Sequence, residues 1–292
     1  MKRRSIDIGG VALDAVVTGS GAVTVVFENG LATPLEEWEA VVPRIAERAR
    51  TLCYDRRRAP SAGKLLPRSA MDMVADLERL LAALQLNPPY VLVGHSWGGV
   101  VARTFAHGHP SDVAGLVFAD ATHEIIDSRG LALLPVMYSL MDLASRTGTG
   151  RRWLLRQLCP ATAPPGYRAL MEERLGDRAL WAVGLRTARA EGAGIRPSLA
   201  ELRRHGPDLP PVPVQVLTAG GVSGPNARSV RRVHEAWRGT VARAPKAQYT
   251  NIPASSHQLP MDAPESVIDA INGVLDAVET NGHGPGAGPA GY

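Results

Sequence analysis

Apolar and polar positions along the chain follow two periods in turn. Residues 23–27, 51–54, 90–93, 116–119 and 212–218 are short apolar-rich runs, the length and composition of strands buried on both faces of a parallel sheet. Between them the spacing becomes helical. Over 34–48, Trp38, Val41, Val42 and Ile45 share one face, which predicts a helix. Ser69 and Asp72 have capping-box spacing and open a segment whose apolar stripe is Met73, Leu77, Leu80, Leu81 and Leu84. Val100, Val101, Thr104, Phe105 and Gly108 form a third such face, and residues 5–8 and 11–17 alternate around Gly9-Gly10 as a hairpin would. Strands and helices in this order predict an α/β protein, a doubly wound, mostly parallel sheet with right-handed crossovers.

From 124 to 208 the alternation stops. Helix-like segments at 131–145, 151–158, 166–175, 179–191 and 198–205 are separated by Gly and Pro, and none of the stretch reads as strand. A strand at 212–218, a helix at 227–238, a strand at 248–252 and a helix at 266–278, with Asp262 placed as its N-cap, complete the pattern. The expected organisation is a core at 1–123, a helical insertion at 124–208, the rest of the core at 209–278, and a Gly/Pro-rich tail at 279–292 too poor in apolar residues to fold.

Composition narrows the function classes. With 292 residues, 45% hydrophobic and 21% charged, the chain has the material for a substantial core. The net charge of +4 invites a nucleic-acid reading, but Arg56-Arg57-Arg58, Arg151-Arg152, Arg203-Arg204 and Arg231-Arg232 are short and dispersed, as on a solvated surface. Two cysteines are too few for a disulfide framework, and Cys53 lies in an apolar run. The eight histidines lack ligand spacing for a metal. Met1-Lys2-Arg3-Arg4 leads into polar residues, not an apolar signal region, and no run approaches 18 apolar residues. These features lead to the expectation of a cytoplasmic protein acting on a small molecule, with no metal or cofactor and no nucleic-acid or membrane partner.

The chemistry concentrates at Tyr90-Val91-Leu92-Val93-Gly94-His95-Ser96-Trp97-Gly98-Gly99. Gly94, Ser96 and Gly98 make G-x-S-x-G between an apolar run and a helical face. A strand turning sharply into a helix brings backbone together on either side of the serine, where only glycine fits. The pentapeptide alone is weak in a chain with 30 glycines; its context makes Ser96 the candidate nucleophile. His95 and Trp97 read as packing residues.

Glu28-Asn29-Gly30-Leu31, Tyr54-Asp55-Arg56, Gly94 to Gly99, Leu116 to Asp120 and Ser256-His257 together resemble the α/β-hydrolase superfamily, specifically its capped, serine esterase- and lactonase-like branch. The resemblance implies that His257, after the last strand, is the base, and that the backbone N–H groups of Leu31 and Trp97 form an oxyanion hole. It also implies that the insertion caps the site, with Met137, Tyr138, Met141, Trp153 and Trp181 as candidate substrate contacts. The superfamily usually supplies its acid after the strand here at 212–218, but residues 219–226 hold no carboxylate. A minority draws it from the strand after the nucleophile, which points to Asp120, with Glu124 as the alternative. Asn29 stands where many members carry His, residues 57–64 depart from the family's pattern, and Asp55-Arg56 reads as a structural tie between loops. The implied activity is hydrolysis of a carboxylic ester or lactone of a moderately apolar molecule through an acyl-enzyme. Amide or thioester cleavage, acyl transfer, a lyase or cyclase step, and a non-catalytic receptor remain alternatives.

Overall fold

The computed structural model describes residues 2–60, 62–126, 133–206, 208–224 and 227–280; the first residues of the expected 131–145 helix and most of the expected tail lie outside these. The strands are β1 (Arg4–Asp7), β2 (Ala12–Thr18), β3 (Thr24–Glu28), β4 (Arg50–Tyr54), β5 (Tyr90–His95), β6 (Val113–Ala119), β7 (Val214–Ala219) and β8 (Ala247–Ile252). They form a single sheet in the order β1-β2-β4-β3-β5-β6-β7-β8. β1 and β2 pair antiparallel and β2 joins β4 antiparallel, while every pairing from β4 to β8 is parallel. The chain runs outward from β3 to β4, then returns across β3 to β5. The carboxyl ends of β3 and β5 therefore flank a point where the winding reverses, the place at which open α/β sheets form a crevice.

Strand residues alternate between two cores, as the two-residue period of a strand requires. Val26, Leu52, Leu92 and Phe118 pack with α2 (Ala70–Ala83) and α3 (Trp97–Gly108) on one face. Val25, Phe27, Cys53, Val93 and Val117 pack with α1 (Val42–Ile45) and the last helix, α10 (Pro264–Val278), on the other. The capping box of α2 is present: Ser69 Oγ accepts from the Asp72 N–H and Asp72 accepts from the Ser69 N–H.

Between β6 and β7 lie α4 (Leu134–Ser145), α5 (Gly148–Leu158), α6 (Pro165–Gly176) and α7 (Arg178–His205), with no strand among the described residues of 124–208. Tyr138, Leu154, Leu175, Trp181, Leu185 and Ala188 form a small apolar core among these helices. Ile195, Leu199 and Leu202 of α7 join the core on the α2 and α3 face. The remaining helices are α8 (Ala227–Ala242) and α9 (Leu259–Asp262).

Three expectations need correction. Residues 34–48 form a 3-10 turn at Leu35–Trp38 and the short α1, not one helix: Pro43 sits in the first turn of α1 and has no N–H to continue an earlier helix. Trp38, Val41, Val42 and Ile45 are nonetheless all fully buried. The expected 179–191 and 198–205 helices are the single α7, which continues through Pro197. Gly194 fits there because a β-carbon would meet the Arg68 carbonyl, and Ser198 Oγ donates to Gly194 O and accepts from the Ala70 N–H. Tertiary packing overrides the local break. Asp262 does not cap α10, whose N-cap is Ala263; its carboxylate accepts from Ser256 and Thr162 instead.

Candidate active site

β5 delivers Ser96 onto a turn with φ of 51°, a left-handed conformation that costs a non-glycine residue energy, at the N-cap of α3. The flanking glycines are sterically required. A β-carbon on Gly98 would come within 2.1 Å of the Glu28 carbonyl oxygen, and one on Gly94 within 2.6 Å of Gly99 Cα.

His257, beyond β8, reaches Ser96 from the far side of the sheet edge: its Nε2 lies 2.9 Å from Ser96 Oγ. Its Nδ1 lies 2.6 Å from Asp120 Oδ2. Asp120 follows β6 directly, at φ of 43°. Its backbone N–H donates to Leu217 O, and its Oδ1 accepts from the Ala219 N–H (3.0 Å) and from His234 Nε2 (3.2 Å), so β7 and α8 hold it from two more sides. Burial opposes the charge on Asp120, but the bonds from His234, His257 and Ala219 and the charge of His257 outweigh it and hold the carboxyl well below the usual range. An ionised Asp120 only accepts, which assigns the Nδ1 proton to His257 and leaves Nε2 to receive the Ser96 proton.

Glu124 does not join this group. It forms a buried ion pair with Arg103 and lies 3.3 Å from His123. Arg103 more than offsets the burial of the Glu124 carboxyl, which is lowered, so this carboxylate is already committed.

The loop after β3 carries the Leu31 amide. Asn29 is fully buried: its Oδ1 accepts from Trp38 Nε1 (2.9 Å) and its amide donates to Tyr54 O (2.8 Å), so the departure from the family's His is absorbed into loop bonding. The Gly30 N–H donates to Glu37 Oε1 (2.8 Å), and Arg56 donates to the Asn29 and Gly30 carbonyls (2.7 and 2.5 Å). Arg56 also pairs with Glu191 on α7, and Asp55 accepts from the Leu35 N–H, so this dipeptide ties loops as expected. Burial pushes the neighbouring Glu28 carboxyl up to about 7, against the pull of Arg56 and Tyr54. Among the described residues nothing accepts a hydrogen bond from the Leu31 or Trp97 amides.

His95 is more than packing. Fully buried, it faces Glu37 Oε2 through Nδ1 (3.0 Å) and the His257 carbonyl through Nε2 (2.8 Å). Burial disfavours its charged form, yet Glu37 and the carbonyl raise its pKa overall. It thereby links the loop carrying Leu31 to the loop carrying His257. Neither His95 nor His234 carries a sequence signal for these contacts, since their partners lie far away in the chain.

Met137, Tyr138, Met141, Trp153 and Trp181 all line one apolar cavity of about 420 Å³, together with Leu31. Tyr138 and Trp181 are buried, whereas Met137 and Trp153 are partly exposed at its edge. Ser96 and His257 are not among the residues lining it; it meets the site at Leu31.

A sequence model of the family described as alpha/beta hydrolase fold matches residues 23–153. Among curated proteins, the chain is similar to the uncharacterised protein YqjL of Bacillus subtilis, 36% identical over 103 residues, which cover 35% of this chain and 41% of that protein. The matched segments span less than half the length of the first curated relatives. Among solved structures, an epoxide hydrolase, CorEH, superposes with a TM-score of 0.71 at 20% identity, covering 94% of this chain and 98% of that one. A thermophilic esterase from Thermogutta terrifontis superposes with a TM-score of 0.68 at 23% identity, covering 95% and 99%. The sheet order, the turn at Ser96 and these likenesses agree: the chain has the α/β-hydrolase fold, and its residues 23–153 match the family's sequence model.

Proposed function

We propose that the protein is a serine hydrolase that cleaves a carboxylic ester or lactone bond of a moderately apolar small molecule. The observation that carries this reading is the unbroken chain from Ser96 Oγ to His257 (2.9 Å) and from His257 to Asp120 (2.6 Å). Ser96 attacks the carbonyl carbon as its proton passes to His257 Nε2, and the imidazolium formed is stabilised by Asp120. The unengaged amides of Leu31 and Trp97 receive the developing oxyanion. His257 then gives the proton to the leaving alkoxide, and it activates a water that attacks the acyl-enzyme, releasing the acid and restoring Ser96.

Helices α4 to α7 serve as a cap, and the apolar cavity beneath them, bounded by Met137, Tyr138, Met141, Trp153 and Trp181, takes the hydrophobic part of the substrate. A serine at the strand turn favours acyl chemistry over the reaction named for the epoxide hydrolase neighbour, since members of the superfamily with that activity carry aspartate at this point.

A panel of esters, lactones and amides with acyl chains of increasing length tests the reading. Turnover of esters or lactones by the wild type, abolished in Ser96→Ala with the fold retained, is the expected result. Turnover unchanged in Ser96→Ala, or none by the wild type on any member, would contradict it.

A further inference from the structure

Asp120 stands at an uncommon place for an acid, on the strand next to the nucleophile strand, and one helix reaches across to hold it there. His234, Trp237 and Thr240 follow one another at three-residue steps along α8 and so share a face. His234 Nε2 meets Asp120 Oδ1 at 3.2 Å, Trp237 Nε1 donates to Ala121 O at 2.8 Å, and Thr240 Oγ1 meets His123 Nε2 at 3.1 Å. Three side chains of one helix thus engage residues 120, 121 and 123. All three are buried, Trp237 fully. The segment between β7 and α8 holds no carboxylate, and α8, which follows it, grips Asp120 instead.

We infer that His234 is a positioning residue for the hydrolytic site, fixing one oxygen of Asp120 so that the other points at His257 Nδ1. The inference rests on the serine hydrolase reading above. The geometry divides the work between the two carboxylate oxygens. Oδ2 receives His257, and Oδ1 receives the Ala219 N–H and His234. A carboxylate held only by Ala219 on that side retains rotation about its χ2 axis, and each rotation away shortens the time His257 spends in its working tautomer and orientation. His234 also draws charge from Asp120. Without that donor the carboxylate pairs more strongly with the His257 imidazolium.

The test compares His234→Leu, which removes the donor, with His234→Gln, whose side-chain amide can present N–H near the position of Nε2. With the best ester from the panel, His234→Leu should lose about ten- to a hundredfold in kcat, with KM within about twofold of wild type. The acid limb of its kcat/KM profile should move to higher pH, and His234→Gln should restore most of the rate and the limb. Thermal unfolding of each variant separates this from loss of folded protein. Both variants within about twofold of wild type with the limb unmoved would overturn the inference, as would a loss that tracks unfolding and is equal in Leu and Gln. Ser96→Ala and the wild type serve as controls for the underlying reading. If the wild type proves inert, that reading fails, and the low-field proton resonance of the Asp120–His257 bond still decides the role of His234. It should shift in His234→Leu and return in His234→Gln, and an unshifted resonance overturns the inference.

Discussion

At the scale of single residues, Asp120 is the most constrained group of the site. Its backbone is in the left-handed region, and its two oxygens take three hydrogen bonds. Replacing it by Asn puts an N–H where an acceptor is needed and leaves His257 in the wrong tautomer. Turnover should fall by about 10³- to 10⁴-fold with the fold intact. Near-normal turnover would refute its role. The same bonds make Asp120 a pH-dependent contributor to stability. Its pKa is depressed in the folded state, so the stabilisation is fully present above the unfolded value of about 4 and is lost as pH falls through the lower folded value. Urea unfolding should therefore show wild type ahead of Asp120→Asn at pH 7, with the gap narrowing in acid. Ser96 was legible as a candidate from its glycines between an apolar run and a helical face, and His257 and Asp120 through the family resemblance of the strand ends they follow. His234 was not, because it lies in a helix whose only local signal is amphipathicity and meets a carboxylate 114 residues away. His95 was seen but assigned to packing, since its partners Glu37 and His257 are brought together only by the sheet.

Among the elements, the loop after β3 depends on contacts from three directions. Arg56 holds the Asn29 and Gly30 carbonyls, Glu37 holds the Gly30 amide, and Glu191 of α7 accepts from Arg56 and from the Ala32 N–H. Truncation by Arg56→Ala would leave Glu28 and Glu191 buried without their cation, a loss of about 3–5 kcal/mol by the usual cost of breaking a buried pair. Denaturant unfolding measures it, and a loss under about 1 kcal/mol would contradict this account of the loop. Arg56→Lys keeps the charge but not the planar fork that spans two carbonyls, so kcat should fall with stability better preserved than in Arg56→Ala. The sequence showed the strands of the parallel region mostly as short apolar runs, because the central ones are buried on both faces, and the capping box of α2 through the spacing of Ser69 and Asp72. It divided α7 in two because Gly194 and Pro197 are local breakers whose compensation comes from Arg68, Ala70 and Ser198.

For the whole molecule, the sheet order places the β3 and β5 carboxyl ends together, and the helices between β6 and β7 add an apolar cavity of about 420 Å³ that meets the site at Leu31. The α/β class was legible from alternation alone. The strand order was not, because it is set by long-range pairing that no local period records. If the cavity receives the acyl or alcohol chain, filling it should change selectivity and not chemistry. Ala188→Phe on its wall should lower kcat/KM for long-chain esters at least about tenfold relative to acetyl esters, by displacing several methylenes at about 0.8 kcal/mol each. An unchanged ratio would move substrate binding elsewhere. The central claim, that Ser96 is the activated nucleophile of a hydrolase, is tested most directly by reaction with a fluorophosphonate probe followed by mass mapping of the adduct. The account predicts one adduct, on Ser96, absent in Ser96→Ala and formed far more slowly in Asp120→Asn. A folded wild type that takes no adduct, or takes it on another residue, would contradict it.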